Sequence, residues 1–96
     1  MAKLHHSGNF QETALRQVGV IGGVLNDLCR TIQILDIDIS TEEERARVFD
    51  VRDPAYPILA RTLAARRDNL RVTVAALEQR LRMLVTTTPR MTTEAA

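Results

Sequence analysis

Two heptad stripes of apolar residues dominate this 96-residue sequence. In the first third of the chain, apolar positions recur at alternating steps of three and four residues, and towards the C-terminus leucines recur at steps of seven. This spacing places apolar side chains along one face of an α-helix, because 3.6 residues make one turn. The predicted oligomer seam consists of Val18, Ile21, Leu25, Leu28, Ile32, Leu35, Leu63, Leu70, Val74, Leu77, Leu81 and Leu84.

The stripes predict an all-α fold: an antiparallel hairpin of two long helices with a short connecting helix. Aromatic residues make up only 3% of the chain, so aliphatic side chains have to build the core. A lone hairpin leaves its seam partly wet, and we therefore expect two copies to complete a four-helix bundle as a homodimer. The predicted organisation is a flexible N-terminus at 1–8, one helical domain at 9–85 with helices at about 10–35, 41–51 and 55–85, and a flexible tail at 86–96.

Three glycines lie inside the first predicted helix. Gly19, Gly22 and Gly23 each cost about 1 kcal/mol relative to alanine in a helix interior. A continuous helix would use them for close approach by a neighbouring helix. A kink or break near Gly22 is the alternative.

The segment between the long helices carries mixed signals. Residues 36–39 alternate aspartate with isoleucine, which predicts an extended connector, with a short strand as the alternative. Thr41 or the serine before it is expected to cap the short helix, in which Glu43 and Arg47 form an i,i+4 ion pair. The last helix begins just after Asp53, or at Pro57 after a rigid elbow.

The sequence offers no catalytic, cofactor or metal site. His5 and His6 lie in the polar N-terminus, and nothing places a base beside Cys29. The acidic stretch after residue 35 differs from a calcium loop, since Thr41 and Arg47 stand where that loop needs glycine and glutamate. The glycines lack the order of a nucleotide-binding loop.

Six arginines in the last helix raise the alternative of nucleic-acid binding, yet by heptad position they surround the helix instead of forming one stripe. Nucleic acid is therefore not the expected partner. A second alternative is a small metabolic enzyme, because in length and arginine content the chain resembles the small all-helical chorismate mutases. That resemblance implies a dimer with arginines in its sites. The arginine–isoleucine–aspartate pattern of those enzymes has no counterpart in helix 1, so it transfers no catalytic residue.

The seam has more apolar residues than one hairpin can bury, and the sequence shows no set of catalytic residues. Together these features predict a non-enzymatic interaction protein: an adaptor, small chaperone or assembly factor that binds a protein partner through a helical surface. Aromatics and arginine dominate interface energetics, so Phe49, Tyr56 and Arg67 are the expected contacts, with packing inside the hairpin as their alternative role. A single cysteine and no secretory signal favour the cytoplasm. No membrane span is expected, because the longest apolar run has eight residues, whereas a span needs about 20.

Overall fold

The computed structural model describes residues 6–86, with side chains from residue 12 onward. This part of the chain contains two helices and no strand: α1 spans His6–Ala46 and α2 spans Ile58–Thr86. The end of α1 packs on the start of α2, while Ile21 of α1 lies beside Arg80 of α2, so the helices are antiparallel. The prediction of an all-helical hairpin is thereby confirmed.

The predicted short connecting helix is not seen, and the predicted extended connector at 36–39 is wrong. Both stretches up to residue 46 belong to α1, which continues the heptad from Leu35 through Ile39. Ile39 is only 6% exposed, and burying it contributes roughly 1.5–3 kcal/mol. This burial outweighs the weak extended preference of the aspartate–isoleucine alternation. Thr41 is not a cap, since its hydroxyl donates to the carbonyl of Ile37 one turn earlier.

The glycines do not interrupt α1. Helical backbone runs through Gly19, Gly22 and Gly23 without a break, in agreement with the continuous helix that was the first of the two expectations. At its N-terminal end α1 begins at His6, four residues before the predicted start. The predicted flexible ends otherwise lie outside the described residues, at 1–5 and 87–96.

A left-handed residue ends α1. Arg47 has φ 61°, and its N–H donates to the carbonyl of Glu43 at 2.7 Å, which closes the last turn. Glycine is the usual residue here, because a Cβ in this conformation costs roughly 1–2 kcal/mol. The predicted Glu43–Arg47 ion pair is absent from the described contacts: Arg47 pairs with Glu44 instead.

Two aspartate-led turns connect the helices. Asp50 accepts from the N–H of Arg52 at 2.9 Å, and Asp53 accepts from the N–H of Ala55 at 2.8 Å. The carbonyl of each aspartate also accepts an N–H three residues on. The rigid elbow is therefore the arrangement observed, and α2 begins directly after Pro57.

The enclosed core of the hairpin is small. It lies at the closed end, where a few side chains from α1, the elbow and α2 meet. Its buried members are Ile39, Tyr56 and Ala60, with Val48, Leu63 and Ala64 packed against them. The chain is elongated, measuring 67 × 30 × 16 Å with a radius of gyration of 20.7 Å. A compact domain of this length would have a radius of gyration of about 12.5 Å.

Candidate interaction surface

The predicted seam lies on the less exposed sides of both helices. All twelve residues are buried or half-buried, whereas most of their neighbours are exposed. Only Ile21 and Leu35 fall below one-tenth exposure, at 8% and 6%. The other ten keep part of their surface in water, because in the described part of the chain each helix packs against one other helix. The use of this seam between copies of the chain stays a prediction.

An ion-pair network links the middle of the two helices. Asp36 of α1 accepts a hydrogen bond from Nη1 of Arg67 at 3.0 Å and lies 3.8 Å from Nη2 of Arg71. Arg67 also donates from Nε to Asp68 at 3.1 Å. The hydrogen bond to Asp36 raises the pKa of Arg67, although partial burial works against it. This network favours the observed register of α1 against α2, since it forms only when these residues lie side by side.

A second polar link closes the hairpin near the elbow. The hydroxyl of Tyr56 donates to Oε2 of Glu43 at 2.7 Å, and the Tyr56 side chain is only 4% exposed. Arg61 lies over the ring, with Cζ 5.3 Å from the centroid, and donates from Nη2 to the carbonyl of Val51. The hydrogen bond to Glu43 and burial raise the pKa of Tyr56. Tyr56 is thus a core residue whose hydroxyl holds the end of α1.

The three predicted partner contacts lie in different surroundings. Tyr56 is enclosed and Arg67 is half-buried in the ion-pair network, so both contribute to the hairpin itself. Phe49 lies in the segment that connects α1 to α2 and is 53% exposed. The structure does not bring the three together as one exposed patch. Phe49 is the one whose surface is open to a partner, and its role stays a prediction.

One side of α1 next to the seam carries no charge between residues 13 and 35. It consists of Leu15, Gly19, Gly22, Asn26, Cys29 and Gln33. Gly23 lies instead in the outer heptad row of Arg16 and Arg30. A Cβ added to any of the three glycines would meet no atom within 4 Å, so the hairpin itself does not use the space they leave. Cys29 lies one heptad after Gly22 and is exposed. Among the residues that the structure describes, the side of α1 that bears Gly19 and Gly22 therefore has no neighbour.

The outer side of α2 also has no neighbour within residues 6–86, and the heptad prediction did not include it. Nine successive outer heptad positions carry no charge, although the rest of the helix is rich in arginine. The outer stripe consists of Ile58, Thr62, Ala65, Asn69, Val72, Ala76, Gln79, Met83 and Thr86, all exposed. With the leucines of α2 assigned to position d of the heptad, the stripe occupies positions f and c. The prediction considered only the a and d positions, and the same inspection of f and c would have found the stripe.

A shallow groove opens between the far ends of the helices. It has a volume of about 260 Å³ and is lined by Thr13, Arg16, Gln17, Val20, Ile21 and Arg80. Two arginines from different helices border it above apolar side chains. Within the described residues, no group of three or more histidine, cysteine, aspartate or glutamate side chains is arranged to hold a metal ion.

The N-terminal helix also has the dimensions of a membrane span. By length and composition alone, the segment Glu12–Ala46 is long and apolar enough to cross a membrane. Its most apolar window of 18 residues has a mean hydropathy of 1.3, and 11% of that window is buried. Signal sequences and core helices of soluble proteins have the same length and composition. The sequence expectation considered only uninterrupted apolar runs and therefore missed this property.

Comparisons with known proteins add no relative: no protein-family model matches the chain, and neither a curated protein nor a solved structure matches it.

Proposed function

We propose that this protein is a non-enzymatic interaction protein of the adaptor, small-chaperone or assembly-factor kind. In this proposal two copies pair through the seam to complete a four-helix bundle, and the dimer presents an outer helical surface to a protein partner. The observation that carries the proposal is the large surface that one hairpin leaves uncovered.

The accessible surface of the chain supports the pairing. The chain exposes 7408 Å², whereas a compact domain of its mass, 10.8 kDa, exposes roughly 5,500 Å². The excess of roughly 1,900 Å² is more than the approximately 800 Å² that each partner contributes to a standard interface. A second hairpin laid on the half-buried seam would cover surface of this kind.

The glycine-bearing side of α1 supports a particular face for the pairing. Leu15 is 68% exposed there, and Gly22 and Cys29 follow at the same heptad position. A helix interior that carries glycine without any contact gains nothing for its cost of about 1 kcal/mol per residue. Close approach by the α1 helix of a second copy would make use of these glycines.

The engagement of the arginines favours this proposal over nucleic-acid binding. Arg67 and Arg71 contact Asp36, and Arg61 is held by Tyr56 and the carbonyl of Val51. A phosphate-binding helix would need such groups free and on one side. Half of the arginines of α2 instead serve the hairpin.

A matched pair of variants tests the pairing. Leu28→Gln alters a half-buried seam position, while Ile34→Gln makes a comparable change at an outer position that is 51% exposed. We expect Leu28→Gln to raise the dimer dissociation constant at least tenfold in sedimentation equilibrium, and Ile34→Gln to leave it unchanged. Helicity by circular dichroism controls for unfolding. Equal effects from the two variants, at preserved helicity, would reject the seam as the interface.

A further inference from the structure

The outer stripe of α2 is uncharged along its whole length and has five apolar members, together with the polar residues Thr62, Asn69, Gln79 and Thr86. Its three large apolar members are strongly exposed: Ile58 at 79%, Val72 at 69% and Met83 at 57%. They lie on the side of α2 opposite the one that packs against α1, and Ala65 and Ala76 between them leave room for another backbone. From Ile58 to Met83 the stripe is about 38 Å long, at 1.5 Å per residue.

The charges beside the outer stripe are mostly positive. Its two flanking rows contain four arginines, Arg61, Arg66, Arg80 and Arg82, and one acid, Asp68. Arg61 is held by the Tyr56 ring and the carbonyl of Val51, and Arg82 donates to Gln79, but these partners are uncharged and leave the positive charge uncompensated. Both Arg67 and Arg71 lie within ion-pair distance of Asp68, at 3.1 and 3.6 Å, so its charge is compensated inside the hairpin. Flanking charges of this kind select the partner of a helical seam.

We infer that the outer stripe binds an amphipathic helix of another protein, with apolar residues in its seam and glutamate or aspartate in its flanking positions. This inference rests on the proposed function and identifies the chemical class of its partner. A symmetric pair of copies is a poor occupant, because pairing two α2 stripes would place arginine rows beside arginine rows. The dimer proposed above uses the seam and the glycine-bearing side of α1, which leaves the outer stripe open.

A displayed library of helices supplies the probe. Each member has about 28 residues, with leucine, isoleucine, valine or alanine in the seam and glutamate or lysine randomised at the flanks. The library is selected on the full-length chain. Selected peptides are then measured by fluorescence anisotropy against three proteins: the unaltered chain, Val72→Asp and Val20→Asp. The last is the matched control, since Val20 of α1 is 61% exposed and lies outside the stripe.

We expect the selected helices to carry glutamate at the flanks. Val72→Asp should weaken their binding at least tenfold, because it places a carboxylate in the apolar seam opposite acidic flanks, and Val20→Asp should leave binding unchanged. Helicity is checked for both variants. Selection of lysine-flanked helices, failure to select any helix, or equal loss in both variants would overturn the inference.

Light scattering separates this inference from the proposed function. The mass of the unaltered chain tests the pairing without any peptide, so a dimer that selects no acidic helix rejects the outer stripe alone. A monomer rejects the pairing, whatever the peptides do. If Val72→Asp itself lowers the mass of the dimer, the stripe is a contact between copies, and the inference is wrong.

Discussion

Replacing the three glycines of α1 by alanine should move hairpin stability and dimer affinity in opposite directions. Within the described residues of one chain, the added methyl groups meet no neighbouring atom within 4 Å at Gly19, Gly22 or Gly23. Each substitution therefore gains about 1 kcal/mol of helix propensity, and the triple variant gains about 3 kcal/mol in the free energy of unfolding of the hairpin. If a second α1 packs closely against the side that carries Gly19 and Gly22, the methyl groups added there hold the two helices apart.

The assay is urea denaturation followed by circular dichroism over a hundredfold range of protein concentration, with the dimer dissociation constant from sedimentation equilibrium. At the lowest concentration, where the monomer dominates, the triple variant should be more stable than the unaltered chain. At the highest, we expect its dissociation constant to be raised at least tenfold, which corresponds to about 1.4 kcal/mol. Ala75→Gly, at an exposed position of α2, is the control and should lose about 1 kcal/mol without changing association.

Two results would refute this reasoning. A triple variant whose monomer is less stable would mean that the space around the glycines is already occupied within the hairpin. A variant that is more stable and dimerises as well as the unaltered chain would mean that the glycines lie away from the contact between copies.

Three further substitutions test the links within the hairpin by chemical denaturation. Tyr56→Phe should lower the free energy of unfolding at neutral pH by about 1.5–3 kcal/mol, the range for a hydrogen bond to a charged group. The pKa of Tyr56 is raised from 10.0 in the folded chain, so the contribution of its hydroxyl to stability is complete below pH 10.0 and is lost as pH rises through the folded pKa. The unaltered chain and the variant should therefore converge in stability at high pH. A constant difference would contradict the hydrogen bond. Asp36→Ala should lower the free energy of unfolding by about 1 kcal/mol, because it removes a partner from Arg67. Asp38→Ala on the same helix is the control and should lower it by less than half of that. Equal losses would exclude a special role for the network. Arg47→Gly should raise stability by about 0.5–1 kcal/mol, because glycine adopts φ 61° without strain; a loss would show that another contact of that side chain matters more.

Heptad spacing predicted the two long helices and their less exposed faces. Steps of three and four residues match the 3.6 residues of a helical turn, so residues at this spacing lie on one face of a helix. The closed end was beyond the same reasoning. Local pattern favours an extended backbone where aspartate alternates with isoleucine, but Ile39 packs against Tyr56 and Ala60, which come much later in the chain. The step of four residues from Leu35 to Ile39 continues the heptad and was the local signal for a helix. The contact with Tyr56 and Ala60, which no local pattern shows, decides between the two readings.

The polar links show the same limit. Arg67 was expected to contact a partner, with packing inside the hairpin as its alternative role. It instead pairs with Asp36, from a stretch that was expected to be extended. Glu43 was expected to pair with an arginine one turn later, yet it accepts from Tyr56 across the elbow. Sequence spacing shows which residues can be neighbours within one helix. The partners found here lie on different elements, and they depend on how the elbow orients α2 relative to α1.

The most direct test of the pairing is the absolute mass of the purified full-length chain, by light scattering on a sizing column at micromolar concentration. The account predicts a single species at twice the chain mass of 10.8 kDa. A species at the mass of one chain, folded and helical, would contradict it.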